Sequence, residues 1–296
     1  MSVTARTAAK MEKTEWNSKR EVELLLPHDK CPLLVTFTMN IIIWNSRGML
    51  KPYFQNHVRG LARNHNSTIL VIMETKLGGA RAREITDRLP FDGTIHTETI
   101  GFTGGLWLLW NSDIVEVVQL ANTEQEIHVK VKVLANNLSW IFSAVYASPR
   151  NVERCILWEN LIKVANLHNK LWVIAGDFTE PLLNEDKFGG RPVNLSRSLL
   201  FKDCLDNCNM VDMGFSGPRY TWTNKREINN LIQERIDRIF MNPSWCLLFL
   251  GAKVSHLTRC HSDHYSVLLE IVPKQTTFLK RPFRFQSFWL SDPSFP

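Results

Sequence analysis

Five apolar runs of this chain end on, or carry, a side chain able to move a proton or hold a cation. Ile41–Trp44 runs into Asn45, Leu70–Met73 into Glu74, Ile141–Val145 into Tyr146, and Trp172–Ala175 reaches Asp177 through Gly176; the run around Ile236 carries Asp237. Carboxylates, an amide and a phenol are the groups of acid–base chemistry and of hard-cation binding. Layered α/β enzymes gather such groups from distant parts of the sequence at the ends of their strands, on one rim. Any one of them alone reads as a polar residue closing a strand. Five together weigh against that reading.

The elements that must position them follow from periodicity. Asn40–Trp44 and Thr68–Met73 are short apolar runs bounded by turn residues, the pattern of buried strands. Gly104–Trp110, Trp140–Tyr146, Lys170–Ala175, Glu234–Phe240 and Ser266–Val272 read as further strands, and Tyr220–Trp222 as a short one. His128, Lys130 and Lys132 alternate with valines, which predicts a half-exposed strand. Helices are predicted over Val58–His65, Arg81–Leu89, Cys155–Asn166 and Ser196–Cys208, the last with Ser196 as its N-cap. Thr179–Asn194 reads as a loop. Strands alternating with helices favour a layered α/β domain over a bundle or a pure sandwich. Residues 1–38 read as a frayed, charged extension with a short helix near Lys10–Leu26, and residues 273–296 as a polar, proline-spaced tail. The folded body is expected over 39–272.

Hydrophobic residues make up 44% of the 296 and charged residues 22%, which excludes a disordered, collagenous or disulfide-scaffold chain. The formal charge is +6, but residues 1–38 carry six basic and five acidic groups and residues 273–296 four and one, leaving 25 against 23 for the body. That balance permits a nucleic-acid partner without demanding one. Runs such as Ile69–Met73, Leu106–Trp110 and Leu171–Ala175 are far too short to span a bilayer. Leu24–Leu26 is cut off by Pro27, so neither a signal peptide nor a membrane partner is expected. The six cysteines form no CxxC pair and are expected to be reduced, which suits nucleus or cytoplasm. Cys204 and Cys208 read as packing residues. Cys260 and His261 with His264 lack the second pair that a zinc site requires. Gly101–Gly105 has no lysine to make it a phosphate-binding loop.

Five motifs then occur in order: Trp44-Asn45-Ser46-Arg47-Gly48, Glu74-Thr75-Lys76, Gly176-Asp177-Phe178, Arg235-Ile236-Asp237-Arg238 and Ser262-Asp263-His264. Together they resemble the exonuclease-endonuclease-phosphatase superfamily of AP endonucleases, pancreatic-type DNase and inositol polyphosphate phosphatases. Phe188-Gly189-Gly190-Arg191-Pro192, Gly214-Phe215-Ser216-Gly217-Pro218, Tyr220-Thr221-Trp222 and His261–His264 resemble, more narrowly, the endonuclease domain of plant LINE-type retrotransposons. The resemblance covers roughly residues 39–272. Arg281–Gln286 and Phe288–Leu290 resemble the linker that joins such an endonuclease to a reverse transcriptase, and on that resemblance a cut-down retroelement product without its polymerase is expected.

The resemblance implies a four-layer α/β sandwich, two packed mixed β-sheets flanked by helices. It implies a Mg²⁺-dependent DNA endonuclease that nicks one strand and leaves a 3′ hydroxyl, with Mn²⁺ able to replace Mg²⁺. Glu74 matches the metal-binding glutamate, with Asn45 beside it and Asp263 completing the metal or water shell. His264 matches the residue that handles the attacking water or polarises the phosphate, and Asp237 the aspartate that orients it. Tyr146 resembles the tyrosine that hydrogen-bonds the phosphate. Asp177 resembles the acid that activates water or protonates the leaving oxygen. Trp222 is the tryptophan to test for stacking on a nucleic-acid base. One position departs: the family's Gly-Asp-Phe-Asn is here Gly176-Asp177-Phe178-Thr179, and a hydroxyl replaces an amide with two donors and longer reach. Two other readings stand beside the nuclease, a phosphatase on a small phosphorylated substrate and a catalytically degenerate retroelement relic.

Overall fold

A strand with a continuous apolar run must be covered on both faces, and the first two strands carry such runs, Ile41–Trp44 and Ile69–Met73. In the computed structural model, which describes residues 38–99 and 104–272, β1 (Met39–Asn45) and β2 (Ser67–Met73) are buried almost throughout. They run parallel, joined by α1 (Phe54–Asn64). After α2 (Gly79–Thr86) come β3 (Gly93–His96), β4 (Leu106–Trp110), β5 (Val115–Asn122), β6 (Glu126–Val133) and β7 (Ser139–Tyr146). A second crossover, α3 (Asn151–Leu167), leads to β8 (Trp172–Asp177), which is parallel to β7. The remainder is β9 (Lys187–Phe188), α4 (Leu195–Asn207), β10 (Val211–Asp212), β11 (Trp222–Thr223), β12 (Gln233–Glu234), β13 (Asp237–Met241), α5 (Pro243–Leu248), β14 (Lys253–His256) and β15 (Val267–Ile271). The predicted N-terminal extension, the turn at Gly101–Thr103 and the tail lie outside the described residues.

These strands form two six-stranded mixed sheets, ordered β14-β15-β1-β2-β4-β3 and β10-β13-β8-β7-β6-β5. Alternate side chains of each meet between the sheets, where Ile41, Ile43, Val71 and Leu108 share a core with Val129, Phe142, Val173 and Ile239. The opposite face of the first sheet, with Trp44, Ile72 and Trp107, is covered by Val58, Leu61 and Ala82 of α1 and α2. That of the second, with Ile141, Ile174 and Phe240, is covered by Leu157 and Leu161 of α3 and Phe201 and Leu205 of α4. The result is the expected helix–sheet–sheet–helix sandwich. A third, small sheet, β11-β12-β9, carries the exposed 225–230 hairpin turn.

Three local expectations are corrected. The N-cap of α4 is Asn194, not Ser196: its side chain accepts from Arg197 N at 3.1 Å. Strand β6 alternates as expected only at Lys130 and Lys132, which are part-exposed between buried valines; at its start α3 lies over it, and His128 is buried, bonded through Nδ1 to Ser143 Oγ at 2.7 Å, with Asn160 of α3 donating to Glu126. The run Glu234–Phe240 is two strands, since the backbone N–H groups of Ile236 and Asp237 both turn to the hydroxyl of Thr221, each at 3.0 Å. That break aims Asp237.

Glycine at position 176 is compulsory. A Cβ there would lie 1.8 Å from the carbonyl oxygen of Val145 on the neighbouring strand, whereas one at Gly60 on α1 would meet nothing within 4 Å. Gly176→Ala should therefore cost about 3 kcal/mol through forced strand displacement. Gly60→Ala should stabilise by about 0.5–1 kcal/mol through helix propensity. Urea denaturation of the two variants checks both signs.

Candidate active site

Register brings the polar strand ends into line. Tyr146 of β7 stands opposite Asp177 of β8, and Asp177 stands opposite Asp237 of β13. In the other sheet Asn45 ends β1 opposite Met73, the residue before Glu74. The two rims meet where Asn45 Nδ2 donates to Asp177 Oδ2 at 2.9 Å. The second carboxylate oxygen of Asp177 accepts from the backbone N–H of Thr179, also at 2.9 Å.

His264 closes the group. Its Nδ1 lies 2.9 Å from Asp237 Oδ2 and 3.9 Å from Asp177 Oδ2, with all three side chains buried. The Asp237 bond fixes the ring, so Nε2 is the nitrogen left for chemistry. The loop that carries it is tied down by Ser262, whose hydroxyl donates to the Asn45 carbonyl at 2.7 Å and accepts from His264 N at 3.2 Å. Glu74 and Asp177 both act on the Tyr146 phenol, and Glu74 is hydrogen-bonded to it. Burial first, then these two carboxylates, hold that phenol protonated as a donor.

The electrostatics follow from burying three titratable groups together. Burial, then the neighbouring Asp237 charge, push Asp177 up to about 7. Burial opposes the charged form of His264, but the charge and hydrogen bond of Asp237 outweigh it and raise its pKa, with smaller help from Asp177 and Glu74. Both shifts favour the protonated fold. The stability they bring is complete below each group's unfolded pKa and is lost as pH rises through the folded value. Stability should therefore decline between about pH 4 and pH 8. Asp177→Asn, which cannot ionise, should flatten this pH dependence relative to the parent. Parallel urea titrations across that range measure it.

The sequence-predicted residues thus fall into one group, in which Glu74, Asn45, Tyr146, Asp177, Asp237 and His264 are linked by the contacts above. Asp263 lies at its edge, where Arg47 pairs with its Oδ2 and the Trp222 indole N–H donates to the same atom at 2.9 Å. Trp222 therefore orients a carboxylate here. Thr179 does not reach inward: its hydroxyl donates to Ser148 O at 3.1 Å. Its φ of 51° lies in the left-handed region, and Arg47, Glu74, Lys76 and His261 share that conformation. Such strain in residues other than glycine gathers at functional sites.

Several supporting residues were not foreseen. Thr221 aims Asp237 and Ser262 anchors His264; both sit inside quoted motifs, so adjacency was the available signal. The buried pair Arg154–Glu180, at 2.8 Å, with Arg154 also bonding Ser148 O and Pro149 O at 2.9 Å, holds the loop against which Thr179 leans. Nothing in the sequence marks it.

The donors suit a hard divalent cation. Ligand atoms of Asp177, Asp237 and His264 lie within 4.8 Å of one another, and Asp237 Oδ1 is buried without a hydrogen-bond partner. Nδ1 and Oδ2 of His264 and Asp237 are already spent on each other, however. Glu74, 17% exposed, paired with the 39% exposed Lys76 at 3.1 Å and bonded by the Tyr146 phenol, is the carboxylate that can take an ion with its waters. Around the mouth, burial and then the charges of Lys76 and Arg47 hold Lys51 below the usual lysine range. Burial, then Arg259, Lys51 and Arg47, do the same for Lys225. Arg47 and Lys76 of this group pair with Asp263 and Glu74, which leaves Lys51, Lys225 and Arg259 as a landing place for a polyanion.

Among solved structures the chain is similar to the AP endonuclease LMAP from Leishmania major, at 14% identity and a TM-score of 0.63, over 80% of this chain and 92% of that one. It is similar to the endonuclease domain of TRAS1, a telomere-specific non-LTR retrotransposon, at 16% and 0.59, over 80% and 100%. It is also similar to the 3′ phosphatase NExo from Neisseria, solved bound to product DNA hairpin, at 18% and 0.56, over 79% and 99%. At these identities the likeness is one of fold. No curated protein matches the chain. The sequence profile of the Endonuclease/Exonuclease/phosphatase family matches residues 42–292. With that span covering most of its length, the chain belongs to the endonuclease/exonuclease/phosphatase family.

Proposed function

We propose that this protein is a Mg²⁺-dependent DNA endonuclease of the LINE retrotransposon type, nicking one strand and leaving a 3′ hydroxyl, with its rate limited by Thr179. The observation that carries the reading is the buried Asp177–His264–Asp237 group at the meeting of the two rims, with the cations Lys51, Lys225 and Arg259 nearby to suit the DNA backbone.

The geometry divides the labour. His264, whose protonated form Asp237 favours against burial, would present Nε2–H to a non-bridging phosphate oxygen. Tyr146, kept as the phenol, donates to the same group. Asp177, poised near neutrality and oriented by Asn45 and the Thr179 N–H, takes the proton of the attacking water. Glu74, with Asn45 behind it, would hold Mg²⁺, which would supply positive charge to the phosphate; the 3′ oxygen leaves with the P–O bonding pair and takes its proton from solvent water. Lys51, Lys225 and Arg259 would track the backbone.

Relaxation of supercoiled plasmid with Mg²⁺ or Mn²⁺ and with EDTA tests this. Nicking that needs the ion, with ends that a polymerase extends, supports it. Hydrolysis of small phosphoesters without nicking would replace it by the phosphatase reading. Inactivity on both, persisting in the Thr179→Asn variant, would point to the degenerate relic.

A further inference from the structure

Arg47 stands in the middle of a metal site's chemistry, yet the motif that contains it explains only Asn45. Its backbone is left-handed, φ 52°, and its N–H donates to Asn45 Oδ1 at 3.0 Å, so the turn after β1 aims the side chain back over the cleft. There the guanidinium pairs with Asp263 Oδ2. The two partners are unequal. The Arg47 side chain is 53% exposed and that of Asp263 4%, so the arginine lies on the solvent side of a carboxylate otherwise enclosed by protein. Asp263 is also pinned from within: the Trp222 indole shares Oδ2, and Oδ1 faces the Ser262 hydroxyl at 3.5 Å. Glu74 differs on each count. It is more exposed, and its one ion-pair partner is a lysine on a flexible stem, with the neutral Tyr146 phenol as its other contact.

A divalent ion can displace a mobile ammonium more readily than a guanidinium held by geometry and shared with a second donor. We propose that Arg47 is a resident cation that neutralises Asp263, so that the cleft takes one divalent ion on the Glu74 side and Asp263 is not a ligand. A guanidinium carries five N–H donors, and the Asp263 contact engages one terminal nitrogen. The rest of its fork suits a phosphate bound bidentately. The second positive charge of the site is thus built into the chain. Arg47 is a positioning and specificity residue on this view, acting on Asp263 and on the number of ions held.

The inference rests on the divalent-ion reading of Glu74, and its test is arranged to separate the two. Mn²⁺ binding is followed by electron paramagnetic resonance on the full chain, without DNA, for the parent and for Arg47→Gln, Arg47→Lys, Asp263→Asn and Glu74→Gln. The parent should bind one Mn²⁺ and lose it in Glu74→Gln. Asp263→Asn should leave that affinity within about twofold, since its charge is already committed. Arg47→Gln should bind a second ion, or the first about tenfold more tightly, because a freed carboxylate adds a ligand. Adding Asp263→Asn to it should abolish that gain, and Arg47→Lys should keep the parent's single ion. Melting temperatures close to the parent's establish that each variant is folded. If Asp263→Asn alone weakens Mn²⁺ about tenfold, or Arg47→Gln changes neither number nor affinity, the proposal falls while the Glu74 reading survives. No binding by any variant overturns both.

Discussion

Thr179→Asn should raise Mg²⁺-dependent nicking by roughly two orders of magnitude, the value of one recovered transition-state donor. The structure adds a reason that the sequence lacked. Thr179 sits at φ 51°, a conformation that asparagine tolerates and that makes a β-branched residue an outlier. Its hydroxyl is turned away from the cleft, onto the Ser148 carbonyl, with Arg154 a further 3.4 Å neighbour. An asparagine amide at the same position has the length to reach inward while its N–H keeps its bond to Asp177. The variant should therefore gain on two axes, rate and about 1 kcal/mol of stability. Nicking rates at one fixed salt concentration and paired urea curves measure them; fixed salt matters because phosphate contacts make binding salt-dependent. Equal rates for parent and variant would show that the hydroxyl suffices.

In that asparagine background, His264→Ala should lower the rate about a thousandfold, within the usual range for losing a positioned proton donor. Asp237→Asn should cost nearly as much. It removes the charge that keeps the imidazole protonated and leaves Nδ1 facing an amide. The two losses should not add, because both residues act through one ring. A double variant slower than either single one by the product of their effects would show that Asp237 works independently of His264.

Much of this arrangement is legible in the residues. Strands β1, β2, β7 and β8 announce themselves because both of their faces are buried, which leaves few polar positions within the run, Ser143 of β7 among them. The site carboxylates stand where those runs stop. The elements that escaped lack that contrast. Strand β3 has four residues, β5 is an edge strand with exposed Glu116, and β14 is short and partly polar. Helix α5 is six residues long, started by Asn242 and Pro243 rather than by any amphipathic pattern. Pairings between distant residues are the other blind spot. Arg47 and Asp263 are 216 positions apart, and a contact across that separation exists only once both sheets have formed. The break at Arg235–Ile236 depends likewise on Thr221, which competes with the ladder for two N–H groups.

The Asn45–Asp177 bond has a consequence for how such a molecule ages and how it can be tuned. Its donor belongs to one sheet and its acceptor to the other, so the reacting groups are mounted like the two jaws of a caliper. The gap is gauged by what fills the space between the jaws: Met73, whose sulfur lies 3.1 Å from the Asp177 N–H, Ala175, and the valines and isoleucines behind them. A core accepts volume-conserving exchanges with little loss of stability, whereas catalytic alignment tolerates a displacement of only about 0.5 Å. Methylenes far from any charge therefore act as adjusting screws on the chemistry. As substitutions accumulate in the interior, turnover registers the drift well before the melting temperature does.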